Sequence, residues 1–358
     1  MSTDLSTLDE QRVEKFAGRL LGTYTEAMVA LMIDLGARTG ALDALASGGG
    51  TSTEIADRAG LEERYVREWL GSLVTAGIAD HDPPTGHYAL PAEHALCLTG
   101  GGSLDLSPLS RVATLLAGHV AGVARAFREG GGVPYEAFRP EFTDVMDGMS
   151  RGSFDSQLID GILSRAGDTV ERLSAGVRAA DIGCGTGHAV NLMARAFPRS
   201  QFTGYDTAED GIAQARAEAA QWGLTNATFE VLDVVDLPLD PPFALVFAFD
   251  AVHDQAHPAR VLGRVRDALT PDGALVMLDV RAASAVEDNV GNPFAPLLYG
   301  FSTLHCLTVS LAQGGTGLGA MWGEQLARQM LAEAGFVDVT VDAVPDDPLN
   351  ALYVARRG

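Results

Sequence analysis

The stretch Ala179-Ala180-Asp181-Ile182-Gly183-Cys184-Gly185-Thr186-Gly187-His188 leaves this chain few ways to fold. Small and apolar residues from Val177 to Ile182, broken by Arg178 and closed by Asp181, read as the end of a buried strand. Three glycines at alternate positions allow a sharp turn and open the backbone to a ligand that a Cβ would shield. Ala189, Val190, Leu192, Met193, Ala196 and Phe197 then recur at helical spacing. The turn thus runs into a helix start, with free N–H groups and a partial positive charge.

A glycine turn alone is common to many nucleotide-binding folds, and G-C-G-T-G departs from the G-x-G-x-x-G of dinucleotide sites. The segments that follow narrow the choice. Phe202 to Asp206 reads as a second strand whose terminal acid can accept hydrogen bonds from both hydroxyls of a ribose. Thr228 to Asp233 supplies a third, with Asp233 able to hold an adenine amino group. Ala244 to Asp250 is a fourth, almost wholly apolar, as a central parallel strand should be.

Taken in this order the motifs resemble those of class I S-adenosylmethionine-dependent methyltransferases, over about half the chain from roughly residue 167 onward. The resemblance implies an α/β fold, a Rossmann-like sheet of seven strands with the last antiparallel. It implies that Asp181, Gly183, Cys184, Gly185 and Gly187 face the methionine part of S-adenosyl-L-methionine. It likewise assigns Asp206 and Thr207 to the ribose, Asp233 and Val234 to the adenine, and Phe249 and Asp250 to the same cavity. S-adenosyl-L-homocysteine would be the product.

At 358 residues, 47% of them hydrophobic, the chain has room for two globular domains. No run of about 18 uninterrupted apolar residues occurs, so no transmembrane helix is expected. The start Met1-Ser2-Thr3-Asp4 lacks a basic-then-apolar leader, which points to the cytoplasm. Cys97, Cys184 and Cys306 form neither a disulfide framework nor a zinc knuckle. A net charge of −22 opposes binding to nucleic acid or to anionic membranes.

Upstream, residues 8–39 carry helical apolar spacing in two runs, with Ala27 to Leu35 apolar enough for either a core or a subunit interface. Thr51 is a helix N-cap, two helices flank Gly60, and Ala79 to Leu90 reads as a hairpin with Pro83-Pro84-Thr85-Gly86 at its tip. This winged helix-turn-helix holds seven basic against fifteen acidic residues over positions 1–100, which argues against a DNA reader. It resembles the module that mediates homodimerisation in bacterial and plant small-molecule methyltransferases. The expected division is 1–100 for this domain, 101–165 for a helical linker, and 166–358 for the cofactor domain with a lid near 290–323. The linker's Tyr135, Met146, Met149 and Phe154, and the lid's Tyr299, His305 and Trp322, are candidate walls of an acceptor pocket.

The chemistry of a sulfonium methyl donor asks a protein mainly for alignment and exclusion of water. A base is needed where the acceptor must lose a proton, and histidine suits that task. His253-Asp254-Gln255 lies where plant-type O-methyltransferases carry His-Asp-Trp, whose histidine is the base; glutamine replaces the tryptophan here. His253 and its possible orienting partner Asp279 are therefore the catalytic candidates, with His305 as a second base and Asp254 free to cap the next helix. His253, His257, His305 and Cys306 have no familiar zinc spacing, so no metal is expected. The function expected is methyl transfer to an oxygen of a small molecule of specialised metabolism. Its rivals are non-methylating chemistry on the same cofactor and a ligand-responsive regulator.

Overall fold

The computed structural model describes residues 8–100, 104–345 and 347–358. It divides into two compact units, 1–114 and 115–358, so the expected linker from 115 onward groups with the sheet-bearing unit.

In the first unit the two expected apolar runs form one helix of 30 residues, Glu10–Thr39. The Asp9 carboxylate caps it by accepting from the amides of Gln11 and Arg12, and Gly40 ends it at φ +75°. Only Asp34 and Gly36 of this helix are buried, whereas Val13, Phe16, Leu21, Tyr24 and Met28 are exposed. At Gly36 the bare backbone admits Trp69, whose ring lies 2.6 Å from where a Cβ would sit and whose Nε1–H donates to the Met32 carbonyl. Thr51 and Glu54 form a reciprocal capping box at the head of helix Ser52–Ala59. Gly60, at φ +66°, turns that helix toward Glu63–Thr75. Strands β1 (Asp80–Asp82) and β2 (His87–Ala89) pair antiparallel as the expected wing. By length and composition, helix Glu10–Thr39 and the helical stretch Ala295–Ala312 are apolar enough to cross a membrane, a property that the lack of an unbroken apolar run does not reveal.

The second unit is built on β3 (Arg178–Ile182), β4 (Gln201–Asp206), β5 (Ala227–Val231), β6 (Phe243–Phe249), β7 (Leu269–Val280), β8 (Phe336–Val344) and β9 (Asp347–Arg357). Their order across the sheet is β5-β4-β3-β6-β7-β9-β8, parallel up to β7, with β9 antiparallel to both neighbours. Successive residues of β3 and β6 serve opposite faces: Ala179, Leu245 and Phe247 join one core layer, Ala180, Val246 and Ala248 the other. The first layer is closed by helices His188–Ala196 and Glu209–Gln221, the second by Pro258–Ala268 and Gly323–Glu333. The strand order reverses direction at β3, and ligand crevices in open parallel sheets lie beyond the carboxyl ends of the strands at such a point.

The glycine turn after β3 is left-handed at Gly183, Gly185 and Gly187, with φ of 68°, 54° and 69°. The three differ in what surrounds them. A Cβ on Gly187 would fall 2.4 Å from the Phe229 ring and 2.5 Å from Ala215, both in the core. A Cβ on Gly185 would meet nothing within 4 Å. Gly187→Ala should therefore lose about 2–5 kcal/mol, the backbone strain plus overpacking. Gly185→Ala should lose only the strain, about 1–2 kcal/mol. Urea unfolding of the two variants checks the order; equal losses would show that Gly187 is not packed as described.

Candidate active site

The carboxyl ends of β3, β4 and β5 are neighbours, so their terminal acids share one edge of the sheet. The amides of Gly183 and Cys184 both donate to the Tyr205 carbonyl, which draws the turn onto the tip of β4. There the Asp206 carboxylate accepts from the Gly185 amide at 2.8 Å and from the Ala208 amide at 2.7 Å. Each Asp206 oxygen keeps lone pairs for a further donor. Burial pushes the Asp206 pKa up, against the pull of those two N–H groups. Asp181 is buried, and burial together with the Asp206 charge pushes its pKa well above the carboxylate range. Its Oδ1 has no partner among the described residues.

The remaining cofactor candidates divide by environment. Asp233 is exposed and accepts from the Val235 amide, while Val234 is buried beneath it. Thr207 is exposed just past Asp206. The Cys184 sulfur points to within 2.8 Å of the position a Cβ on Gly204 would take, so that side chain packs inward and only its backbone belongs to the turn. Open space at Gly185, acids at the tips of β3 and β4, and an unpartnered buried oxygen on Asp181 fit a polar ligand with hydroxyl and ammonium groups.

A second cluster lies at the tips of β6 and β7. Asp250 sits at φ +52°, a conformation that non-glycine residues rarely adopt. Burial and the neighbouring Asp279 push its pKa up to about 7. Asp279 is fully buried, and its Oδ1 accepts from three sides: His253 Nδ1 at 2.8 Å, the Val280 amide at 2.8 Å and Trp322 Nε1 at 3.0 Å. In the neutral ring this places the proton on Nδ1 and leaves the lone pair on Nε2. Burial opposes charging His253, but Asp279 and Asp254 outweigh it and hold its pKa well above the usual histidine value.

Asp254 does not cap the following helix, whose N-cap is His257. Its Oδ1 lies 3.3 Å from His253 Nε2, out of hydrogen-bonding alignment, and its Oδ2 lies 3.8 Å from His305 Nδ1. Nothing in the spacing of the sequence distinguishes this orientation from a capping one. His305 is buried, stacked on Phe142 at 3.7 Å between ring centres, with Tyr135, Phe138 and Phe301 edge-on around it. Burial lowers its pKa to about 4, which suits a neutral wall of the pocket better than a base.

Of the other wall candidates, Tyr135 is half-buried, and its hydroxyl is pushed up in pKa by burial and by the charges of Asp206 and Asp254. It thus feels both clusters. Phe154 meets Phe249 at 5.4 Å between ring centres, and Met146 and Met149 are half-buried on the same helix, Glu141–Gln157. Tyr299 is half-buried beside Asn289. Trp322 is buried, and its indole N–H donates to Asp279. Phe142 and Cys306 join the cluster without having been singled out as walls, Phe142 because helical spacing did not show which of its neighbours it would meet. The donor atoms of His253, Asp254 and Cys306 lie within 4.8 Å of one another, as do those of Asp250, His253 and Asp279. Chain spacing does not reveal either grouping.

Comparison with known proteins adds the family context. Residues 173–335 match a family described as a methyltransferase domain, and residues 27–100 match the Rv2258c-like winged HTH domain. The trans-aconitate 2-methyltransferase of Methylobacterium nodulans is 33% identical over 105 residues, covering 29% of this chain and 39% of that protein. The chain therefore spans about two fifths of the length of this curated relative. Among solved structures, PigF with SAH has a TM-score of 0.72 at 19% identity, covering 98% of this chain and 100% of that one. The mitomycin 7-O-methyltransferase MmcR also has a TM-score of 0.72 at 19% identity, covering 97% and 98%. The chain thus carries a winged HTH domain over residues 27–100 and a methyltransferase domain over residues 173–335, and it shares the fold of these solved proteins.

Proposed function

We propose that the chain transfers a methyl group from S-adenosylmethionine to a hydroxyl of a small molecule, with His253 as general base. The observation that carries this reading is the buried His253–Asp279 pair, 2.8 Å apart, beside the edge that bears Asp181, Gly185 and Asp206. When bound, the cofactor supplies a methyl group already activated by its sulfonium. Asp206 would hold the ribose, Asp233 and Val234 the adenine, and the open face at Gly185 with Asp181 the methionine part. The positively polarised start of helix His188–Ala196 favours an anionic group nearby.

On the acceptor side, His253 Nε2 would take the hydroxyl proton as that oxygen becomes a nucleophile. Asp279 orients the ring through Nδ1–H and stabilises the imidazolium that forms. Trp322 and the Val280 amide hold Asp279 in place while it does so. The aromatic wall of Phe142, His305 and Tyr135 excludes water and presents an apolar face to the acceptor. The carboxylates of Asp254 and Asp279 crowd this cluster. A carboxylate acceptor would be repelled by them and would need no base, so a hydroxyl fits better.

The reading extends to assembly and location. The exposed apolar residues of helix Glu10–Thr39 suit burial against a second copy, and a homodimer would cover them. Three unpaired cysteines fit a reducing, cytoplasmic setting.

Incubation with S-adenosylmethionine and hydroxylated small molecules should yield S-adenosylhomocysteine one-to-one with methylated product. Product without that stoichiometry would instead indicate other chemistry on the same fold. Asp206→Ala should abolish S-adenosylhomocysteine binding in calorimetry, and retained tight binding would remove Asp206 from the site. His253→Ala should lower turnover about 10²–10⁴-fold while leaving cofactor affinity intact; unchanged turnover would make His253 structural. Because the active form is the neutral imidazole and its pKa is raised, kcat/KM should climb with pH above the ordinary histidine range. Asp279→Asn removes the charge that raises it, so the climb should move to lower pH and level off at a lower rate. A climb that stays in place would contradict the pairing.

A further inference from the structure

Helix Glu141–Gln157, which carries the acceptor-wall residues Phe142, Met146 and Phe154, is fastened to the cofactor turn by a polar network that the proposed reaction does not use. The Thr186 hydroxyl, between Gly185 and Gly187, donates to Asp147 Oδ1. Asp147 is in turn gripped by Arg151 from both sides, Nε to Oδ2 at 2.7 Å and NH2 to Oδ1 at 2.9 Å. The third arm of Arg151 reaches Glu218 Oε1 at 2.7 Å and His188 Nδ1 at 2.8 Å. Thr186 and His188 are buried, with 7% and 4% of their surfaces exposed. The same stretch is laced along one face of helix Glu209–Gln221 by Arg139 to Asp210, Asp144 to Gln214 and Arg151 to Glu218. Residues 210, 214 and 218 are one helical turn apart, so the lacing is continuous.

From this geometry we infer that Asp147 is a positioning residue for the cofactor turn. Three left-handed glycines give that turn no side chain at those positions, Cys184 packs inward, and Thr186 is its handle toward helix Glu141–Gln157. A charge-assisted hydrogen bond on a nearly buried hydroxyl fixes the turn in one conformation, so the ligand does not have to order it. Because Asp147 rides on the helix that walls the acceptor pocket, cofactor affinity and the seating of that helix are coupled. The inference rests on the cofactor site proposed above and adds a residue to it that touches no cofactor atom.

The test is calorimetric titration of S-adenosylhomocysteine into the full chain and four variants, with thermal unfolding of each. Asp147→Ala and Thr186→Val each remove one partner and should raise Kd about tenfold, the worth of one hydrogen bond to a charged group. The double variant should be no weaker than the weaker single, since both remove the same contact. Thr186→Ser keeps the hydroxyl and should restore the wild-type Kd. In turnover, the loss in the Asp147 and Thr186 variants should fall on the KM for S-adenosylmethionine rather than on kcat. Singles within twofold of wild type, additive losses in the double variant, or a Thr186→Ser variant as weak as Thr186→Val would overturn the inference. Wild-type chain that binds no S-adenosylhomocysteine would overturn the reading of the cofactor site itself, and this inference with it.

Discussion

A carboxylate taken wholly out of water costs several kcal/mol unless its oxygens are met by donors. Asp279 is in that position, and one of its oxygens collects the His253 imidazole, the Trp322 indole and the Val280 amide. Those three donors come from the loop after β6, the turn at residues 320–322 and the tip of β7 itself. Seating one charge therefore ties residues 320–322 to the sheet and turns Nε2 of His253 away from Asp279. In the proposed reaction the low dielectric that makes the pair expensive would also make it effective, because the imidazolium formed on taking a proton would sit against a fixed negative charge.

The other half of the site follows a different economy of structure. At the tips of β3 and β4 the backbone does most of the work, through amides of Gly183, Cys184, Gly185 and Ala208. Glycine is required there because the turn is left-handed three times within five residues. Gly187 and Gly183 also need to be small, since Cβ atoms would strike Phe229, Ala215 and Ala251, whereas Gly185 borders open space. Packing thus holds two of the three glycines and leaves the middle one facing outward, where a ligand can approach.

Much of this was legible in the order of residues. Strand tips that end in an acid, the almost wholly apolar run of β6, and a glycine turn opening a helix together point to a parallel sheet, and the observed strand order agrees. What escaped was set by three-dimensional contact. Thr270-Pro271-Asp272-Gly273, a composition that reads as a turn ahead of a strand from Ala274, lies within β7, where the pairing with β6 jumps from Leu269 to Ala274. The two apolar runs near the N-terminus are one helix, because nothing between them breaks it and Gly18 and Gly22 are tolerated on its open surface. Asp254 faces His253 and His305 rather than a helix end, and the indole of Trp322 is directed at Asp279. Adjacent residues in a loop carry no periodicity, so sequence alone does not say which way they point.

Two clusters, one proposed for the cofactor and one for the proton, would serve a single reaction. A crystal structure of the chain with S-adenosylhomocysteine tests that most directly. The ribose should rest on Asp206, with the sulfur turned toward His253 across the space walled by Phe142 and His305. A cofactor that avoids Asp206, or whose sulfur faces away from His253, would contradict it.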